Sequence, residues 1–188
     1  MRRRGTIIPP RIPIFLGCEG ESEQAYGQFL NTIVRESNLP FHIEVVNLNP
    51  GAGDPVARIK RAEQEVKRRS NRRAEFRFKT ILMDSDQIEN DHQRPQQVET
   101  LAASCGISIV WQQPCHEAFL LRHFEGYHNH RPATPTLALT ALLEVWPDYK
   151  KPMTSLQVSR KISMAGVHRA ATDDAALKTF LRRIRLIV

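Results

Sequence analysis

The chain has 188 residues and 41% hydrophobic content, enough for one full domain with its own core. Its 27 Lys and Arg outnumber its 20 Asp and Glu, and the resulting net charge of +7 favours polyanionic partners such as nucleic acid. No stretch approaches the ~18 apolar residues that span a bilayer, and the N-terminus lacks a signal-peptide core. Three scattered cysteines suit a reducing compartment, so we expect a cytoplasmic protein without membrane association.

Hydrophobic periodicity alternates between strand and helix along the first two thirds of the chain. In chain order it predicts buried strands at 13–18, 41–48, 78–83 and 107–111. Helices are predicted from Ser22 as an N-cap, from Pro55 to about Arg72 behind Asp54 as an N-cap, at 96–105 after a polar loop at 89–95, and at 116–124. This alternation indicates an α/β fold with a parallel sheet of about four strands flanked by helices.

The pattern changes after residue 125. An apolar helix is expected near 137–146, followed by a proline-bounded break at 147–152 and two further helices. We therefore divide the chain into a flexible basic arm at 1–12, a main α/β domain at 13–126, and a helical extension at 127–188 packed on that domain.

Carboxylates follow the predicted strands at the points where the apolar runs stop. Glu19 follows the first strand beside Gly20, and Asp84 and Asp86 follow the third. In open α/β sheets, ligands bind beyond the carboxyl ends of the strands, and Mg²⁺ prefers such oxygen ligands. The pattern therefore predicts a Mg²⁺ or Mn²⁺ site at Glu19, Asp84 and Asp86. Each carboxylate taken alone is more typical of an ordinary loop at the end of a strand or helix, and it is the joint pattern that favours a metal site.

Four ordered motifs resemble RloB-like proteins, which have a Toprim-type domain. They are FLGCEGESEQAY at 15–26, PGAGDP at 50–55, the aspartate pair after ILM at 81–83, and PCHEAFLLRHFE at 114–125. Together they cover roughly residues 13–126 in the order that the family uses. The chain departs from the family pattern at His116, where an aromatic residue is usual, and at Ser85 and Gln87, where basic and acidic residues are frequent.

The resemblance implies a Toprim-like fold that breaks or joins phosphodiester bonds with Mg²⁺. In that case Glu19 would be a general base or a ligand through water, and Asp84 and Asp86 would hold the metal. Glu23 and Glu117 would be further acidic positions near the site. The resemblance also implies a role in anti-phage defence beside an ATPase partner.

Basic side chains concentrate on the second predicted helix. Arg58, Arg61, Arg68, Arg69 and Arg72 are candidates for binding the phosphate backbone, and affinity would then fall with salt. A solvated helix face balanced by Glu63 and Glu65 is the competing interpretation. A second basic face carries Lys178, Arg182, Arg183 and Arg185, with the same two interpretations.

Other site chemistries are less well supported. The spacing of Cys115 and the nearby histidines fits no closed zinc site, and His123 in an apolar helix is typical of a hydrogen-bonded core histidine. No residue can be identified as the orienting partner of a Cys115–His pair for acyl transfer. Gly51-Ala52-Gly53 lacks the Gly-Lys-Ser/Thr sequence of a P-loop.

The sequence thus predicts a metal-dependent nuclease for DNA or RNA, and a homo-oligomer is compatible with it. The alternative is a non-catalytic nucleic-acid-binding or assembly subunit that partners an ATPase. An enzyme should bring the three carboxylates close enough to share a cation. A binding module could instead show them apart, or neutralised by basic side chains.

Overall fold

The computed structural model describes residues 10–49, 54–71, 74–86, 88 and 94–188. Its strands are β1 Ile12–Cys18, β2 Phe41–Asn47, β3 Lys79–Asp84 and β4 Ser108–Gln112. All pair in parallel, in the order β2-β1-β3-β4, which places β1 and β3 side by side at the centre. The predicted α/β fold with a four-stranded parallel sheet is confirmed.

Eight helices occur in the part of the chain that the structure describes. They are α1 Glu21–Glu36, α2 Pro55–Ser70, α3 Arg94–Ser104, α4 His116–Leu121, α5 Pro135–Val145, α6 Ser155–Lys161, α7 Met164–Ala170 and α8 Ala175–Arg183. The expectation of two helices after α5 was wrong, because three are present. Ile162 is extended and ends α6, and the Ser163 side chain accepts a hydrogen bond from the Gly166 N–H to begin α7.

Two helix starts also differ from the sequence prediction. The N-cap of α1 is Gly20 rather than Ser22, which lies buried inside the helix. The chain turns directly after Glu19, so the helix begins before Ser22, the residue that the sequence indicated as its N-cap. Likewise α3 begins at Arg94 and includes Pro95, because proline is tolerated in the first turn of a helix. Asp54 caps α2 through the Val56 N–H as predicted.

The sheet buries a hydrophobic cluster on each face, as expected for strands covered on both sides. On one face, Ile14 and Leu16 of β1 pack with α1, α4 and the C-terminal helices. On the other, Phe15 packs with residues of α2 and α3. Alternation of side chains along β1 therefore fills both clusters.

Helix α1 lies unusually close to the sheet. A Cβ placed on Gly27 would stand 2.8 Å from Val45 Cγ1 and 2.9 Å from Leu16 Cδ2, closer than packed carbon atoms approach. Glycine here lets the helix pack directly onto β1 and β2, which fixes its N-terminus beside the end of β1.

The C-terminal helices share a core with the sheet. One hydrophobic cluster joins β1 and α1 to residues of every helix from α4 to α8, including Leu142, Val158, Val167 and Phe180. The cluster crosses the boundary that sequence analysis placed after residue 126. The extension is therefore in position to contribute side chains to a site at the sheet edge.

Several sequence predictions fall outside the described residues. They are residues 1–9 of the basic arm, the 50–53 turn, Arg72, Gln87 and most of the polar loop before α3. In the described ranges, no helix combines the length and the apolar character that crossing a membrane requires.

Candidate active site

The two central strands place Glu19 and Asp84 in direct contact. Cys18 at the end of β1 pairs with Leu82 of β3, so the residues that follow lie next to each other beyond the sheet edge. The backbone N–H of Asp84 donates a hydrogen bond of 3.1 Å to Glu19 Oε2. Residues far apart in sequence meet here because parallel strands end at the same edge.

The second carboxylate oxygen of Glu19 is held by Arg58 from the first turns of α2. Arg58 Nη2 lies 2.6 Å from Glu19 Oε1, and both side chains are largely buried. Burial raises the pKa of Glu19, and the nearby Arg58 charge only partly offsets this effect. Both oxygens of Glu19 are therefore occupied in this arrangement.

Asp84 lies in a strongly unfavourable environment for a carboxylate. Burial, followed by the charges of Glu23, Glu19 and Asp86, raises the pKa of Asp84 to about 9. Its Oδ1 is buried and has no hydrogen-bond partner among the described residues. A proton or a cation at this oxygen would relieve both problems.

Asp86 and Glu23 take different positions around this pair. Strand β3 ends at Asp84, so the two-residue strand repeat does not extend to Asp86, which lies exposed in the following turn. Glu23 is buried in the first turn of α1, with its Oε1 3.8 Å from His116 Nδ1. The side-chain amide of Gln112 donates a hydrogen bond of 2.8 Å to the same ring nitrogen. Burial lowers the pKa of His116, which favours the neutral ring.

Glu117 is occupied by two residues from the connection between α5 and α6. Its Oε1 accepts a hydrogen bond of 3.0 Å from the Tyr149 hydroxyl and forms a 2.6 Å ion pair with Lys151 Nζ. Burial opposes ionisation of Glu117, but the hydrogen bond and charge of Lys151 outweigh it and lower the pKa. The negative charge of Glu117 is thus balanced by the ammonium group of Lys151.

These elements border one cleft of about 640 Å³. It is lined by Glu19, Gly20, Glu21, Ser22, Glu23, Asn47, Asn49, Arg58, Asp84, Lys151 and Pro152. Three of the predicted acidic residues, Glu19, Glu23 and Asp84, are among them, whereas Asp86 and Glu117 are not. Arg58 and Lys151 add positive charge to the same walls. The cleft therefore suits a ligand that carries anionic groups together with a cation.

Among the described residues, no three or more His, Cys, Asp or Glu side chains are arranged to hold a metal ion. Glu19, Asp84 and Asp86 are neighbours but do not form a closed ligand cage. The donors nevertheless fit Mg²⁺, which takes one or two carboxylates and keeps waters for substrate phosphates. Asp84 Oδ1, which has no hydrogen-bond partner among the described residues, is the observation that favours this fit, and a cation at Glu19 Oε1 would compete with Arg58.

The predicted phosphate-binding arginines of α2 are mostly paired within the protein. Glu65 receives Arg61, Arg68 and Arg69, and Arg69 also contacts Glu44. About half of the Arg61 and Arg68 side chains stays exposed, so both can still reach a polyanion. Arg58 differs from them, because it turns toward the cleft.

Lys151 and Tyr149 were missed by sequence analysis. Both lie in a segment between helices that carried no site motif, and nothing in its composition distinguishes Lys151 from Lys150. For Arg58, the sequence suggested a phosphate contact but not the pairing with Glu19. In contrast, the prediction that His123 is a core histidine is confirmed, since it is buried and hydrogen-bonded to the Tyr26 hydroxyl.

The fold and cleft define an α/β protein with an acidic site at the carboxyl edge of a parallel sheet, bordered by two basic side chains. A family model described as RloB-like protein matches residues 14–180, most of the chain. The protein therefore belongs to the RloB-like family, and the match continues past residue 126 into the C-terminal helices. Searches of curated proteins and of solved structures found no match.

Proposed function

We propose that the protein is a metal-dependent nuclease of the Toprim type that cleaves phosphodiester bonds of DNA or RNA. The observation that carries the proposal is the contact between Glu19 and Asp84 at the ends of the central strands. Asp84 Oδ1 is buried there and has no hydrogen-bond partner in the described part of the chain. Arg58 and Lys151 in the same cleft complement the negatively charged phosphodiester backbone of a nucleic acid.

Each side chain has a distinct task in this proposal. Asp84 and Glu19 would hold Mg²⁺ or Mn²⁺, and Asp86 would add a carboxylate from the adjacent turn. When bound, the ion polarises a phosphoryl oxygen and activates water. Glu19 is also suited to accept a proton, because burial raises the pKa of its carboxyl group. Glu23 adds negative charge behind the site and so favours the cation.

The setting of the activity belongs to the same proposal. The resemblance to RloB-like proteins implies a role in anti-phage defence beside an ATPase partner, and the scattered cysteines suit the cytoplasm. The basic α2 face around Arg61 and Arg68 would carry the nucleic acid toward the cleft, and exposed guanidinium groups are suited to phosphate contacts.

One observation favours a second function. Arg58 neutralises Glu19, which is the feature expected of a scaffold kept for binding rather than chemistry. In that case the protein would be a non-catalytic nucleic-acid-binding or assembly subunit for an ATPase. The two functions differ in whether a divalent cation displaces Arg58 from Glu19.

A cleavage assay separates them. Plasmid DNA and bulk tRNA are incubated with the full chain in Mg²⁺, in Mn²⁺ or in EDTA. Asp84→Asn preserves the shape of the side chain while removing its ability to ionise and bind a cation. Asp148→Asn is the matched control, since Asp148 is exposed and pairs with Lys161 outside the cleft. We expect metal-dependent cleavage by wild type and Asp148→Asn, and none by Asp84→Asn.

The opposite pattern favours the subunit. If wild type leaves both substrates intact in every buffer and yet retards them on a gel, the nuclease proposal fails. Isothermal titration of Mn²⁺ adds an independent readout, because binding that depends on Asp84 is required by the nuclease and not by the subunit. Whether wild type cleaves the plasmid or the tRNA shows whether its substrate is DNA or RNA.

A further inference from the structure

The connection between α5 and α6 contains a short exposed segment, and buried residues on both sides of that segment fix it to the core. Trp146, Tyr149 and Met153 are each less than a tenth exposed, whereas Lys150, Lys151 and Pro152 lie at the surface. The rings of Trp146 and Tyr149 pack edge to face at 5.3 Å between centroids. A three-residue segment between buried residues has little conformational freedom, so the fold determines the position of Lys151.

Lys151 is held from one side and open on the other. Its Nζ pairs with Glu117 Oε1, which the Tyr149 hydroxyl also contacts, while 49% of the side chain stays exposed. Burial disfavours the ammonium, but Glu117 outweighs it and raises the pKa of Lys151, so the group is charged at neutral pH. A cation with one fixed partner keeps two donors for a ligand.

The open side of Lys151 borders the cleft that holds Glu19 and Asp84. Arg58 borders it from α2, and its Nη1 is buried without a hydrogen-bond partner among the described residues. Two basic groups from separate elements therefore border the pair of carboxylates. An anion bound between them would gain charge-assisted hydrogen bonds from both groups.

We infer that Lys151 is a substrate-binding residue that contacts a backbone phosphate of the nucleic acid, with Glu117 and Tyr149 as its positioning residues. The inference rests on the proposed function and adds the C-terminal extension to the site. It also changes the predicted role of Glu117, from an acidic group near the metal to the partner that orients Lys151. Arg58 becomes a second phosphate contact once it leaves Glu19.

The adjacent lysine provides a matched control. Lys150 has the same charge and is exposed, but it borders a separate cleft with Trp146 and Asp148. Lys151→Gln and Lys150→Gln therefore change the formal net charge equally, but Lys151→Gln also removes the lysine that pairs with Glu117. Lys151→Arg keeps the charge at the site.

The measurement is fluorescence anisotropy of labelled single-stranded DNA and RNA 20-mers, titrated with the full chain in EDTA over a series of salt concentrations. We expect Lys151→Gln to weaken binding about tenfold and to reduce the salt slope by about 0.7, the value for one lost phosphate contact on a single strand. Lys150→Gln should change affinity less than about threefold, and Lys151→Arg should stay within about threefold of wild type. A general loss of structure would lower the melting temperature but would not reduce the slope by one contact.

Tyr149→Phe tests the positioning role. It leaves the ammonium in place and removes one hydrogen bond to Glu117, so we expect a smaller loss of affinity with an unchanged salt slope. Equal affinities and slopes for Lys151→Gln and Lys150→Gln, with melting temperatures near that of wild type, overturn the inference, whether or not wild type cleaves. A selective loss in Lys151→Gln supports it, even if wild type proves inactive in Mg²⁺ and Mn²⁺ and the nuclease proposal falls.

Discussion

Arg58 Nη2 lies 2.6 Å from Glu19 Oε1, so an arginine from α2 occupies a carboxylate that the sequence assigns to metal binding. The other Glu19 oxygen accepts the Asp84 N–H. A cation that uses Glu19 must therefore compete with a largely buried guanidinium. In the proposed function, the balance between Arg58 and a cation at Glu19 would decide whether the site binds metal.

Removing this competitor should strengthen metal binding. We predict that Arg58→Gln raises Mn²⁺ affinity roughly tenfold, because one positive charge next to the cation is lost at close range. Isothermal titration without nucleic acid measures the effect. Arg61→Gln is the control, since Arg61 lies on the same helix but pairs with Glu65 at 3.3 Å. Unchanged affinity in Arg58→Gln would mean that Glu19 does not belong to the cation site.

The pKa of Asp84 predicts a pH-dependent stability. The folded protein holds the Asp84 proton up to about pH 9, whereas an unfolded chain releases it near the ordinary value for aspartate. Between these pH values the native state binds more protons, so the free energy of unfolding falls as pH rises, by at most about 1.4 kcal/mol per pH unit. The destabilisation is complete above about pH 9 and absent in acid.

Thermal unfolding in EDTA at pH 6 and pH 8.5 tests this prediction. Wild type should lose more stability over that interval than Asp84→Asn, which has no proton to release. Mn²⁺ should restore wild type at pH 8.5 but not the variant, because the metal replaces the proton at the carboxylate. Parallel curves for the two proteins would contradict the raised pKa of Asp84.

Glu65 is predicted to restrain the basic face of α2. It is buried and contacts three arginines, Arg61, Arg68 and Arg69. We expect Glu65→Gln to strengthen oligonucleotide binding several-fold and steepen its salt dependence, because these arginines lose their internal counter-charge. The lost charged hydrogen bonds should cost about 1–3 kcal/mol of stability.

Anisotropy titrations of Glu65→Gln are best compared with Glu63→Gln. Glu63 is on the same helix and pairs with a single lysine, Lys67, at 2.7 Å. A smaller gain is expected from that variant. If Glu65→Gln binds no better than wild type although it is folded, the α2 arginines do not contact nucleic acid.

His123 predicts sensitivity to acid. Burial lowers its pKa to about 3, and its Nδ1–H donates to the Phe119 carbonyl while Nε2 accepts from the Tyr26 hydroxyl. The unfolded chain takes up this proton near pH 6.5, so stability is present above that pH and falls by up to about 1.4 kcal/mol per unit as pH drops toward 3. The buried, neutral His116 should add to the same trend.

Urea unfolding at pH 7 and pH 5 measures this acid loss. His123→Gln should be less stable at pH 7 yet lose less between the two pH values, since it cannot titrate. His128→Gln, at an exposed histidine, should follow wild type. An acid loss in His123→Gln equal to that of wild type would assign the effect to other groups.

Much of the fold could be predicted because its signals are local. The apolar runs that became β1 and β3, and the Asp54-Pro55 start of α2, need only neighbouring residues to be recognised. Predictions failed where tertiary packing overrode a local preference. Ser22 is a favourable N-cap residue, yet α1 begins at Glu21 because Gly20 already turns the chain beyond β1.

The sequence by itself determined that Glu19 and Asp84 stand at the ends of strands, because a carboxylate at the end of an apolar run is visible in the order of residues. Tertiary structure alone decided what surrounds them. Nothing local separates Arg58 from Arg61, or Lys151 from Lys150, and only packing turns one member of each pair toward the cleft. The physical reason is that charge on a side chain is a property of the residue, whereas the pKa and partners of that charge depend on the elements that the fold brings beside it.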